Sequence, residues 1–276
     1  MRKARRGIAV LPTLFTLGNL LCGSAAIFVA SRPVGVDLPF DWTPLTFAAI
    51  FVFGGMVLDG LDGSIARLTR SFSELGEQLD SMADMVTFGV APAFMAVQLV
   101  KVGAPFVSES ERGDTIFGRV ALAIAAIYVA CAALRLARFN IELASEDKID
   151  HGSFDGLPSP GAAGTVASFV LLHQHFLTVQ ELQVPLLIPL AAVGMVLIML
   201  LAALGMVSRL RYLHVINRYV RGRAPFGTIS KAVCVVLLLI VHLQAALAAA
   251  FVLYALSAPA SALYRWTLQR KRHEGT

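Results

Sequence analysis

The sequence predicts an all-α fold, a polytopic membrane helix bundle of about eight transmembrane helices with its active site at the cytoplasmic side. Three observations lead there. The 276 residues are 57% hydrophobic and only 15% charged, with a mean hydropathy of +0.72, whereas a soluble domain carries about 25% charge. Several apolar runs reach the roughly 20 residues that cross a hydrocarbon core. Both ends of the chain are basic, with Arg2, Lys3, Arg5 and Arg6 at one and Arg265, Arg270, Lys271 and Arg272 at the other. That pairing suits an even number of crossings with both termini in the cytoplasm.

Taken in order, the helices are expected at about 10–31, 43–64, 76–100, 117–138, 159–178, 184–206, 228–244 and 246–265. The first is too long for the core of a cleavable signal, and no small-residue cleavage site follows it. The second and third are joined by a short loop over 68–75. Pro158 and Pro160 suit the entry of the fifth. The tract 232–263 is too long for one crossing, so a tight turn is expected near His242–Gln244. With this count only Arg32, Lys101, Arg112 and Arg119, of the 23 Lys and Arg, fall outside the cytoplasm.

The net charge of +5 is then a matter of topology and anionic headgroups, as in the arginine-rich loop 207–230. No basic patch interleaved with aromatics points to nucleic acid. Cys22, Cys131 and Cys234 are scattered over helices and make neither a disulfide framework nor a metal cluster. Without repeats or long linkers, residues 1–276 read as one integral membrane domain, multi-pass in the cell membrane.

The informative stretch is DGLDGSIARLTRSFSELGEQLDSMAD, residues 59–84. Asp59 and Asp62 are spaced i, i+3 and share a helix face with Gly63 and Ala66. Gly76, Asp80 and Asp84 recur at four-residue intervals on the next helix. Two antiparallel helices thus present four carboxylates to one cavity. Carboxylates at membrane depth are costly and need a neutralising partner. Hard oxygen ligands suit Mg²⁺ or Mn²⁺, and a pair of such ions can hold a diphosphate. The small residues Gly63 and Ala66 admit a bulky ligand, and the Arg67 guanidinium suits a phosphate oxygen. The plainer alternative is that these acids cap loops or pair with Arg67 and Arg70.

The pattern Asp59-x-x-Asp62-Gly63-x-x-Ala66-Arg67, eight residues, then Gly76-x-x-x-Asp80-x-x-x-Asp84 resembles the signature of the CDP-alcohol phosphatidyltransferases at every position. The resemblance implies transfer of a phosphoalcohol from a CDP-linked donor to a hydroxyl, with release of CMP. It implies Asp59, Asp62 and Asp80 as metal ligands, Asp84 as ligand and general base, Gly63, Ala66 and Arg67 as the CDP pocket, and a homodimer.

Four further stretches, PTLFTLGN (12–19), TFGVAPA (87–93), LRLARFN (134–140) and GLPSP (156–160), are similar to the phosphatidylserine synthase branch of that family, with Thr87 where serine is usual. This implies CDP-diacylglycerol as donor and L-serine as acceptor. Arg135 and Arg138, at i, i+3 near a helix end, suit a substrate carboxylate or a donor phosphate, or else snorkel to headgroups. Asn140 and Ser159 can add neutral hydrogen bonds. Thr16 and Asn19, also i, i+3, either touch the nucleotide or bond between helices. Glycerol phosphate, an inositol phosphate or choline are the rival acceptors. A cation transporter is the remote alternative, disfavoured because the acids gather toward one face.

Overall fold

The computed structural model describes residues 2–33, 38–39, 42–69, 74–103, 116–144, 153–175, 187–208, 210–213 and 243–273. Its elements are helix α1 (Arg2–Ala30), α2 (Pro44–Thr69), α3 (Glu74–Asp84), a π-helical turn (Met85–Val90), α4 (Ala91–Gly103), α5 (Ile116–Ala144), α6 (Ser159–Gln174), α7 (Leu187–Val207) and α8 (Leu243–His273). Two three-residue strands, β1 (Ser153–Asp155) and β2 (Arg211–Leu213), complete it. Seven of the eight expected segments are therefore helical among the described residues. Residues 228–242 of the expected helix at 228–244 and most of the basic loop 207–230 lie outside those residues, while Leu243 and Gln244, where a tight turn is expected, already belong to α8. Six helical segments are long and apolar enough to cross a membrane: Thr13–Ala30, Pro44–Ile65, Leu75–Lys101, Ile116–Ile141, Pro189–Val207 and Gln244–Ser261. The chain is a multi-pass membrane protein. Helix α6, with 16 described residues, is short for a crossing and almost wholly enclosed by its neighbours.

Lipid offers no hydrophobic drive between helices, so close packing has to hold them. Here small residues line the interior, among them Ala26, Ala48, Ala96, Ala132, Ala163 and Ala203, all at most 3% exposed. Leucines such as Leu21, Leu122 and Leu201 project outward. Side-chain pairs fix the directions. Helix α1 runs antiparallel to α2, with Gly18 against Leu58 and Cys22 against Gly54. Helix α7 runs antiparallel to α6, Gly194 facing Phe169 and Gly205 bonding Leu157. Helix α8 is also antiparallel to α6, Phe251 lying on Gly164 and Tyr254 on Gly161. Helices α7 and α8 thus share a direction, the parity that the eight-helix expectation carries.

The third expected helix, 76–100, is not uniform. Between α3 and α4 the chain takes a π turn, with the Ala91 N–H bonded to the Val86 carbonyl. Such turns loosen the regular ladder. Pro92, which has no N–H to return to the Phe88 carbonyl four residues back, explains part of it. The buried Tyr128 hydroxyl on α5 donates to that carbonyl instead, at 3.1 Å.

The strands were not expected from an all-α reading. They pair antiparallel, Ser153 with Leu213 and Asp155 with Arg211, and tie the loop before α6 to the segment after α7. Gly156 makes the join possible. Its φ is +87°, its N–H donates to the Leu210 carbonyl at 2.9 Å, and a Cβ there would stand 2.5 Å from the Met206 carbonyl oxygen and 3.0 Å from that of Ser208. Only glycine fits both the backbone conformation and the space. Gly156→Ala is expected to destabilise the protein by about 1–3 kcal/mol, read as a lower thermal midpoint in detergent. An unchanged midpoint would show that this join does not bear on stability.

Candidate metal and phosphate site

The carboxylates near the end of α2 meet those of α3. One oxygen from each of Asp59, Asp62 and Asp80 lies within 4.8 Å of the others. Asp62 is buried, and Asp59 and Asp80 are partly so. Asp84 lies one turn beyond Asp80, outside that trio but within its field: Asp59, Asp80 and Asp62 all repel it. Glu77 adds further negative charge near Asp80, and the Arg135 guanidinium attracts Asp59. The Asp80 Oδ1 atom is buried with no hydrogen-bond partner among the described residues. A clustered set of hard oxygens, one of them orphaned, fits a divalent cation.

Helix α1 holds this cluster from the side. The Thr16 hydroxyl donates to Asp62 Oδ2 at 3.0 Å, and Asn19 Nδ2 donates to Asp84 Oδ1 at 3.0 Å. Both residues are at most 4% exposed. Their i, i+3 spacing lets one helix face reach a carboxylate on α2 and another on α3. Both residues bond between helices, and the bonds end on site carboxylates.

Close approach is secured one turn deeper. Thr87, in the π turn, donates its hydroxyl to the Asn19 carbonyl at 2.9 Å. It is wedged between α1 and α2: a Cβ on Gly23 would come 2.7 Å from Thr87 Cα, and one on Gly55 would come 2.8 Å from Asn19 Oδ1. Thr87 keeps the hydroxyl that a serine would supply there, and its extra methyl points at Gly55.

The other expected residues gather at the ends of α5 and α6. Arg135 donates to the Ser159 hydroxyl at 2.7 Å and lies 5.8 Å from the centre of the Phe139 ring. Arg138 is half-buried on the same helix. Asn140 donates to the Ser81 hydroxyl at 3.0 Å, which fastens α5 to α3 beside Asp80. Gly63 follows Asp62 directly and is half-buried, while the side chains of Ala66 and Arg67 lie outside the described residues. Sequence reasoning missed Ser81 and Tyr128. Ser81 stands next to Asp80, a helical turn's side away from the carboxylate line, and its role depends on α5. Tyr128 follows from Pro92 only once the two helices are known to be neighbours.

A family model described as CDP-alcohol phosphatidyltransferase matches residues 9–193. The chain is similar to proteins named CDP-diacylglycerol--serine O-phosphatidyltransferase. One from Helicobacter pylori is 38% identical over 170 residues, covering 61% of each chain. One from Bacillus subtilis is 34% identical over 152 residues, 55% of this chain and 70% of the relative. One from Methanocaldococcus jannaschii is 30% identical over 172 residues, 62% of this chain and 66% of the relative. The match thus spans about three fifths of the Helicobacter relative's length.

Removing the hydroxyl that orients Asp62, in Thr16→Val, is expected to weaken Mn²⁺ binding by about tenfold, the scale on which such outer contacts act. Electron paramagnetic resonance titration of free Mn²⁺ against purified protein measures it directly. Unchanged affinity would mean that the bond does not orient a metal ligand.

Proposed function

From the premise that the chain belongs to the CDP-alcohol phosphatidyltransferase family, we propose that it transfers the phosphatidyl group of CDP-diacylglycerol to the hydroxyl of L-serine, giving phosphatidylserine and CMP. The observation that carries this reading is the convergence of Asp59, Asp62 and Asp80 within 4.8 Å, with Asp84 one turn on, at the end of the bundle that also holds Arg135 and Ser159. The names of the similar proteins support the donor and the acceptor.

Asp59, Asp62, Asp80 and Asp84 would hold Mg²⁺ or Mn²⁺, two ions per site. Such ions, when bound, supply neutralisation of the diphosphate and of the charge on departing CMP. The chain's own residues do the rest. Gly63 and Ala66 leave room for the CDP head, and Arg67 binds its phosphate oxygens, while the acyl chains stay in lipid. Thr16 and Asn19 line the inner side of that pocket and hold Asp62 and Asp84 in place. Arg135, Arg138, Asn140 and Ser159 form the acceptor side, where a guanidinium meets the serine carboxylate.

A serine hydroxyl does not ionise unaided near neutral pH, so the reaction needs a base within reach. The Asp84 carboxylate takes that proton as the serine oxygen bonds to the phosphorus bearing diacylglycerol, and the bond from that phosphorus to CMP breaks. Asn19, donating to Asp84 Oδ1, leaves the other oxygen for the proton. The enzyme works as a homodimer in the cell membrane with both termini in the cytoplasm, where serine and released CMP are soluble.

The test is purified protein in detergent with CDP-diacylglycerol, Mn²⁺ or Mg²⁺, and labelled L-serine, with glycerol 3-phosphate, myo-inositol 1-phosphate and choline run in parallel. Serine-dependent lipid product with equal CMP is expected, abolished by chelator. Asp84→Asn is expected to lower kcat by about 10²–10⁴-fold, the range of a positioned base. Turnover with a rival acceptor alone would overturn serine and keep the family chemistry. No CMP with any acceptor would overturn the transfer.

A further inference from the structure

Helix α8 lies beyond the segment matched by the family model, residues 9–193, yet it is docked on the half of the bundle that carries the site. Phe251 lies on Gly164 of α6 and faces Phe53 of α2, ring centres 5.7 Å apart. The Thr165 hydroxyl reaches the Phe251 carbonyl at 3.4 Å. One turn further toward the site, Tyr254 presses on Gly161, where a Cβ would stand 2.9 Å from its Cε1. Gly161 is two residues from Ser159, the residue that accepts the 2.7 Å hydrogen bond from Arg135. Tyr254 and the Arg135 guanidinium are near enough to interact electrostatically.

Arg135 meets Phe139 on its own helix and Ser159 at the start of α6, and the Tyr254 ring backs that start at Gly161. An arginine side chain carries about 2 kcal/mol of rotamer entropy, so confinement decides how much of its population points at a ligand. We infer that α8 completes the acceptor side of the site, with the Tyr254 ring as a positioning residue that seats Ser159 and Arg135 for the anionic end of the acceptor. The inference rests on the reading above, in which Arg135 faces the acceptor, and extends it to a helix outside the family-matched segment.

A residue that positions Arg135 acts on acceptor binding and leaves donor binding alone. Tyr254→Ala is expected to raise the acceptor KM by about tenfold, the scale of one oriented charge-assisted contact, with kcat and the CDP-diacylglycerol KM within about twofold of the parent. Tyr254→Phe keeps the ring on Gly161 and restores the parent value. Gly161→Ala displaces the ring from the other side without altering Tyr254, and shows the same selective rise. Leu253→Ala, on the outward face of α8 where Leu253 is 68% exposed, is the control and stays at the parent value.

An unchanged acceptor KM in both Tyr254→Ala and Gly161→Ala, with the parent active, overturns the inference alone. A matched rise in both KM values with a lowered thermal midpoint assigns Tyr254 to packing and also overturns it. A parent protein that uses no acceptor overturns the inference together with the function on which it rests.

Discussion

Mutual repulsion among carboxylates governs this molecule. Asp59, Asp62 and Asp80 offer oxygens within 4.8 Å of one another, and Asp84 sits in the same field. Like charges so close, at the edge of a medium that solvates them poorly, push the helices apart unless something holds them. What holds them is visible on every side. Thr16 and Asn19 bond to two of the acids from α1, Asn140 clamps Ser81 from α5, and Thr87 is pinned between two glycine-lined helices. None of these bonds is unusual in strength. Together they fix three helix ends around the clustered carboxylates.

The small-residue interior serves the same end. Helices separated by alanine and glycine approach closely enough for short side chains such as Thr16 and Ser81 to reach across. Had the interior been filled with leucine, the helices would stand further apart and those hydroxyls would fall short of their acceptors. Packing and chemistry are therefore one requirement: the composition that lets the bundle cohere in lipid also brings the polar groups within hydrogen-bond range.

Much of this was legible in the sequence. Hydropathy placed the helices, because a membrane allows few alternatives to long apolar segments, and the i, i+3 and i, i+4 spacings placed the acids on facing sides of two helices. What the sequence did not disclose depended on contacts between distant segments. The π turn after Asp84 hides inside an unbroken apolar run, and only Pro92 hints at it. The β1–β2 ladder joins residues too few and too far apart to show a strand pattern, with Gly156 as its one trace. That Thr16 and Asn19 end on Asp62 and Asp84 required the register of α1 against two other helices, which periodicity does not set. The sequence offered Arg135 as a candidate, but its seating by Ser159, and the proximity of Tyr254, come from helix packing.

The strand pair also has a meaning in time. All four aspartates and their partners on α1 lie within the first 84 residues of the chain, so the acidic half of the site can assemble while the rest is still being synthesised. The loop entering α6, by contrast, is not fastened until Arg211–Leu213 has emerged to pair with Ser153–Asp155, and Tyr254 comes later still. Chain order therefore places the acid cluster first, the strand that fastens the entry of α6 after it, and Tyr254 last.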